Sequence, residues 1–180
     1  DVCVERNLPC VLCTTGLSEE QLAKVKETAK ETAVLKSANM SLGINLLLKL
    51  LKEATAVLAP AGYDMEIVER HHNQKLDAPS GTALLLADTI KNTLDPTVSY
   101  TFDRSQCRKK RGREEIGISS LRGGSIVGEH SVLFAGHNEV IEIKHEAFSR
   151  EIFAMGAIKA ALFLSTKKTE LYTMKDLIKE

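Results

Sequence analysis

The chain has 180 residues, enough for one domain or one and a half. Hydrophobic residues make up 43% and charged residues 27%, and 24 Lys+Arg balance 24 Asp+Glu. That balance excludes a disordered protein and argues against a generally nucleic-acid-binding or anionic-membrane-binding surface.

The four cysteines do not make a disulfide scaffold, so a reducing, cytoplasmic setting is expected. The most apolar stretch, Ile44 to Leu51, is broken by Asn45 and Lys49 and does not read as a membrane span. No secretory pattern opens the chain. Asp1 to Pro9 carries no start signal of its own. Cys10 to Cys13 is a short apolar run before Thr14-Thr15-Gly16, as expected of a strand buried on both faces of a parallel sheet. Ser18 with Gln21 predicts a capping box and a helix over 19–31, with Leu22, Val25 and Ala29 inward. Ala33 to Leu35 reads as the next buried strand, completing a βαβ unit.

Ser41 caps a second predicted helix, striped by Ile44, Leu47, Leu48, Leu51 and Leu58 and ended by Pro60-Ala61-Gly62. Asp64 to Arg70 reads as a strand, His71 to Ser80 as a polar loop and Gly81 to Leu94 as a helix stopped by Asp95-Pro96. Val98 to Phe102, Glu115 to Leu121, Ile126 to Ala135 and Glu139 to His145 read as strands. The last two join through Gly136-His137-Asn138 as a hairpin. Arg104 to Arg113 is a basic run expected to be a solvated, mobile loop, since no aromatics interleave to stack bases. Ile152 to Leu164 and Met174 to Ile178 are predicted helices. Parallel βαβ followed by antiparallel strands places the chain in the α/β (α+β) class, with two parts.

The densest polar cluster runs from Glu69 to Thr82. Two imidazoles, His71 and His72, and the Lys75 ammonium precede Pro79-Ser80-Gly81-Thr82, where a helix begins. The first amides of a helix attract anions, and imidazoles are readily tuned for proton transfer near neutral pH. Ser80, Gly81 and Thr82 would present those amides. The combination suits a small carboxylate-bearing substrate that needs a proton. Cys10-x-x-Cys13 has redox spacing but lies on a predicted strand and lacks a second pair, so it reads as buried strand cysteines, and no metal site is expected. His130, His137 and His145 lie on or beside strands and read as structural, and Arg150 is given no phosphate contact.

Glu69 to Ala83 resembles the signature of the dihydrodipicolinate reductases, E-x-H-H-x-x-K-x-D-A-P-S-G-T-A, at every fixed position. Cys13-Thr14-Thr15-Gly16 is similar to the family's G-T-T-G turn, with Cys13 in place of its first glycine. Ser37 to Gly43 is similar to its A-x-N-[FM]-S-x-G turn, and Ile126 to His130 and the final helices also fit. The resemblance implies hydride transfer from NADPH or NADH to an unsaturated cyclic imine in lysine and diaminopimelate synthesis. It implies His71 and Lys75 as proton donors. It places His72, Lys75, Ser80, Gly81 and Thr82 at the dicarboxylate substrate. It places Cys13, Thr14, Thr15, Ser37, Ala38, Asn39 and Met40 at the nicotinamide end of the cofactor. Residues 1–40 and 151–180 would be part of a Rossmann-type dinucleotide-binding domain. Residues 41–150 would be a mixed-sheet substrate domain that assembles homotetramers through an apolar sheet face.

No G-x-G-x-x-G occurs among the 11 glycines. The 180 residues are therefore expected to resemble the later two-thirds of a reductase and to bind NAD(P)H poorly alone, with unpaired edges at both early strands. The alternative function is a non-catalytic dicarboxylate-binding or assembly module. Nucleic-acid and membrane partners are not expected.

Overall fold

A computed structural model describes residues 1–94 and 97–178. The expected Asp95-Pro96 stop lies outside the described residues. In chain order the elements begin α1 (Val2–Glu5), β1 (Cys10–Leu12), α2 (Glu19–Thr28), β2 (Val34–Lys36), α3 (Leu42–Leu58) and β3 (Asp64–His71). They continue α4 (Gly81–Lys91), β4 (Ser99–Phe102), β5 (Glu115–Arg122), β6 (Gly128–Ala135) and β7 (Val140–Ala147). They close with α5 (Glu151–Leu164), β8 (Leu171–Tyr172) and α6 (Met174–Ile178). The chain divides into two compact units, Asp1–Leu46 together with the segment from Arg150, and Leu47–Ser149. The division falls inside α3.

In the first unit, β1, β2 and β8 form one parallel sheet in that order. The capping box forms as read, with the Ser18 hydroxyl accepting from the Gln21 amide and Gln21 reaching back to the Ser18 amide. β2 is central and its Val34 and Leu35 are buried, because β8 supplies the second parallel neighbour. The expectation of an unpaired edge on that strand is thereby corrected. β1 is at the sheet's edge, so Cys10, Val11 and Leu12 are only half-buried and Cys13 is exposed, not buried as strand cysteines were expected to be. The core joins Ala33, Leu35, Met40, Ala160, Leu164 and Met174. Gly156 lets α5 lie directly on the main chain of Met40, since a Cβ there would stand 1.8 Å from the Met40 carbonyl oxygen.

In the second unit, five strands run in the order β4-β5-β3-β6-β7. β3 pairs in parallel with β5 and antiparallel with β6. β6 and β7 form the predicted hairpin, turned at Gly136 to Glu139 with Asn138 in the left-handed region (φ 65°). Alternation along the strands puts Met65, Ile67, Ile116, Ile118, Val132 and Phe134 on one buried face. Ala83, Leu86, Ala87 and Ile90 of α4 are buried with them.

The opposite face is not the apolar surface expected. It carries a charged ladder in which Glu129 receives Arg70 and Lys144, and Lys144 also reaches Glu146. Leu121 and Val140 are its exposed apolar positions, at 48% and 58%. The basic run is exposed at Arg108, Lys109, Lys110 and Arg113, as expected of a solvated loop, but two of its arginines are pinned. Arg104 pairs with Glu115, and Arg111 spans Asp64, Glu66 and the carbonyls of Met65 and Glu115. Gly117 makes room for Glu66 to lie across the strand.

Candidate active site

A strand places every second side chain on one face, so Glu69 and His71 project together. Register brings in their neighbours. Glu69 lies opposite Ser120 and His71 opposite Arg122 on β5, while Glu69 also faces His130 on β6, which in turn faces His145 on β7. These residues share the helix-covered face of the sheet near the carboxyl end of β3. His71 and His130 meet edge to face, 5.1 Å between ring centres.

Glu69 is fully buried. Its Oε1 accepts from the Ser80 amide at 3.1 Å and from Arg122 Nη2 at 2.8 Å. Its Oε2 accepts from Arg122 Nη1 at 2.8 Å and lies 2.6 Å from His71 Nδ1. Burial alone would raise the Glu69 carboxyl, but hydrogen bonds from Arg122, Ser120 and His71 outweigh it and hold it at about 2. Arg122 Nη2 also donates to the Asp77 carbonyl at 2.6 Å, tying the loop back to the sheet. Burial lowers His71, and the charges of Lys75 and Arg122 add to that, while contact with Glu69 works the other way. Burial first, and the His71 charge second, push His130 down to about 4.

Ser80 is the N-cap of α4. Its hydroxyl accepts from the Ala83 amide at 3.1 Å and lies 3.0 Å from His130 Nε2. It is 2% exposed. Its hydroxyl is therefore committed to the cap and to His130, and of the three helix-start residues among the five expected to meet a substrate, Ser80 is the buried one. A Cβ built on Gly81 meets nothing within 4 Å, so that corner is open. His72 is half-buried on the loop, and Lys75 reaches Asp77 at 2.8 Å. A cavity of about 640 Å³ is lined by Ala78, Pro79, Phe102, Asp103 and Ile118 to Leu121. It adjoins the loop, but its lining includes neither His72 nor Lys75.

The residues expected at a nicotinamide occupy two turns of the first unit. Cys13, Thr14 and Thr15 follow the carboxyl end of β1 and are exposed. Ser37, Ala38 and Asn39 follow that of β2, its parallel neighbour. Ligands of parallel sheets sit outside the carboxyl ends of the strands, so these residues fit that end of a dinucleotide. The second turn is fixed before any ligand arrives. Ser37 Oγ donates to the Asn39 carbonyl, Asn39 Oδ1 accepts from the Ser41 amide, and Asn45 Nδ2 donates to the carbonyls of Asn39 and Ser41. Met40 is 5% exposed and packed in the core, where it holds the turn.

Sequence reasoning gave Glu69 no role of its own and missed Arg122, His130 and Asn45. Only strand register could have brought Arg122 and His130 to Glu69. Asn45 had a local signal, being a polar residue one turn after a Ser cap.

A parallel βαβ unit, and a mixed sheet whose strand-to-helix loop gathers imidazoles, an ammonium and helix amides, define an α/β (α+β) protein. Comparison with known proteins makes the class specific. Residues 43–178 match the family described as dihydrodipicolinate reductase, C-terminus, and residues 1–40 match dihydrodipicolinate reductase, N-terminus. The 4-hydroxy-tetrahydrodipicolinate reductase of Clostridium novyi is 56% identical over 175 residues, covering 97% of this chain and 69% of that protein. The reductase of the same name from Caldanaerobacter subterraneus subsp. tengcongensis is 56% identical, covering 98% of this chain and 69% of that protein. A dipicolinate-bound dihydrodipicolinate reductase from Paenisporosarcina sp. TG-14 superposes with a TM-score of 0.77 at 27% identity, covering 96% of this chain and 65% of that one. The chain belongs to the dihydrodipicolinate reductase family, and its curated relatives are oxidoreductases named for that reaction. The expected family and fold class are borne out. Among the described residues no helix is long and apolar enough to cross a membrane.

Proposed function

We propose that this chain holds a small cyclic dicarboxylate and delivers the proton in the reduction of 4-hydroxy-tetrahydrodipicolinate, or dihydrodipicolinate, to tetrahydrodipicolinate. The observation that carries the reading is one clamped loop. It runs from His71 to the start of α4, is fastened to Glu69 at both ends, and is held in the middle by Arg122. Along it lie an imidazole pair, an ammonium and the first amides of α4. The amides of Gly81 and Thr82, with the Thr82 hydroxyl, take one carboxylate, where the helix dipole is positive. His72 and Lys75 attend the carboxylates, with Lys75 exchanging Asp77 for substrate. When bound, NADPH or NADH supplies the hydride. Lys75 and His71 supply the proton to the neighbouring carbon, and the ammonium stabilises charge that develops there. His71 donates only once its Nε2 is protonated, because Nδ1 faces Glu69.

Cys13, Thr14, Thr15, Ser37, Ala38 and Asn39 would hold the nicotinamide end of the cofactor. A homotetramer formed through the outer face of the five-stranded sheet is supported by the self-complementary charges there and by exposed Leu121 and Val140. A cytoplasmic setting is supported by four free cysteines.

Calorimetry on the 180-residue chain tests the site. Pyridine-2,6-dicarboxylate is expected to bind, and Thr82→Val or Lys75→Ala to weaken it about tenfold, roughly 1.4 kcal/mol. Unchanged affinity in both variants would move the site elsewhere. NADPH binding is expected to be weak, because the glycine triplet that supports pyrophosphate is not among these residues. Low-micromolar NADPH binding, about −8 kcal/mol, would contradict that.

A further inference from the structure

Glu69 is too well held to be a bystander. Each oxygen of its carboxylate takes two contacts, Oε1 from the Ser80 amide and Arg122 Nη2, Oε2 from Arg122 Nη1 and His71 Nδ1. A carboxylate so fixed cannot turn to donate, so the proton shared with His71 resides on the ring, at Nδ1. The other ring nitrogen, Nε2, points toward Gly128. A Cβ there would stand 3.1 Å away, and glycine leaves that space open.

We infer that Glu69, clamped by Arg122, is the positioning residue of His71: it fixes the Nδ1–H tautomer, leaves Nε2 to take up and release the proton, and stabilises the imidazolium. The logic is that of a carboxylate behind a histidine base, which sets tautomer and orientation without itself gaining a proton. The groups facing His71 are Glu69 on its own strand, Lys75 on the loop, Arg122 on β5 and His130 on β6. Glu69 is the only anion among these four, so removing its charge has a defined sign: the imidazolium loses its counterion.

The test starts with nitrogen NMR of histidine-labelled 180-residue protein. Neutral His71 is expected to carry its proton on Nδ1, which the wild-type spectrum decides without any variant. In Glu69→Gln the amide oxygen can still accept from Nδ1, so the tautomer is retained, but proton affinity at Nε2 falls about tenfold or more. Glu69→Asp, which keeps the charge, recovers part of that loss. A proton on Nε2 of neutral His71, or an unchanged proton affinity in Glu69→Gln, overturns the inference. Its kinetic consequence rests on the reading of His71 as proton donor. In turnover assays the alkaline limb of kcat moves to lower pH in Glu69→Gln by the NMR shift, with dicarboxylate affinity kept. An NMR shift without movement of that limb would leave Glu69 as the positioning residue and remove His71 from proton donation.

Discussion

Replacing Gly156 with alanine tests how tightly the first unit is built around the proposed nicotinamide turn. In a helix interior that change ordinarily stabilises, by about 1 kcal/mol. Here the new Cβ would stand 1.8 Å from the Met40 carbonyl oxygen and 2.8 Å from its carbon, against an ordinary contact of at least 3.4 Å. Both atoms are main chain, so no side chain can swing aside. α5 and the turn must part by the difference, about 1.6 Å. That motion draws Ala160 and Leu164 away from Ala33 and Leu35 in the core. Overpacking of this kind costs about 1–3 kcal/mol, and sometimes more. The cost outweighs the propensity gain, and a net loss of at least about 1 kcal/mol is expected, a large share of a domain's ~5–15 kcal/mol. Urea denaturation of the 180-residue chain reads it as a lower midpoint at unchanged slope. Ala154→Gly, at an exposed position of the same helix, reports propensity alone and should lose about 1 kcal/mol. A Gly156→Ala midpoint at or above wild type, with the Ala154→Gly midpoint lowered, would refute the close packing of α5 on the turn.

Two further outcomes follow from the site. Glu69 is held at about 2 against an ordinary 4.5, and its burial is complete, so folding favours the ionised form by on the order of 3 kcal/mol. A depressed carboxyl contributes stability above its unfolded value, lost as pH falls through the folded one. The wild-type urea midpoint should therefore fall more steeply than that of Glu69→Gln between about pH 4.5 and pH 2. Parallel curves would show that the carboxylate is not so stabilised. In turnover assays, Lys75→Ala or His71→Ala should lower kcat by about 10²-fold or more. Near-wild-type turnover in both would take these residues out of the proton step.

Much of the fold was legible because it is written in local patterns. The capping box at Ser18 and the hairpin at Gly136 to Asn138 depend on residues within one turn of each other, and both formed. The stripe from Ile44 to Leu58 marked α3, with Ile44, Leu47, Leu48 and Leu51 buried. β8 was not legible, since two residues, Leu171 and Tyr172, show no period. They become a strand only by pairing with β2, far away in sequence. α1 is four residues long and buries none of them fully. The candidate loop was visible through residue type. Its supports were not, because Arg122 reaches Glu69 through the parallel register of β3 and β5, which no local spacing encodes. The burial of Met40 and Ser80 was not legible for one physical reason: motif position does not reveal burial. The pinned basic run is the same case in reverse, since Arg104 and Arg111 find their acids on β5 and β3.

The spacing of the candidate motif has a mechanical origin in Glu69. Two residues separate it from His71, the step that keeps side chains on one face of a strand. Eleven residues separate it from Ser80, whose amide it accepts. The intervening loop is thus a bracket fastened to one carboxylate at both ends. Arg122 holds the middle, at the Asp77 carbonyl, with the guanidinium that also neutralises Glu69. Moving any member by one position would break a fastening: His71 would leave the face, or Ser80 could not both bond Glu69 and cap α4. Removing the arginine alone would leave a buried, uncompensated carboxylate, a penalty of about 3–5 kcal/mol. His72 and Lys75, the side chains proposed to meet a ligand, sit between the fastenings, with Lys75 on Asp77. The fastened ends, His71 and Ser80, are buried and give the loop its shape, which leaves the residues between them as the proposed binding groups.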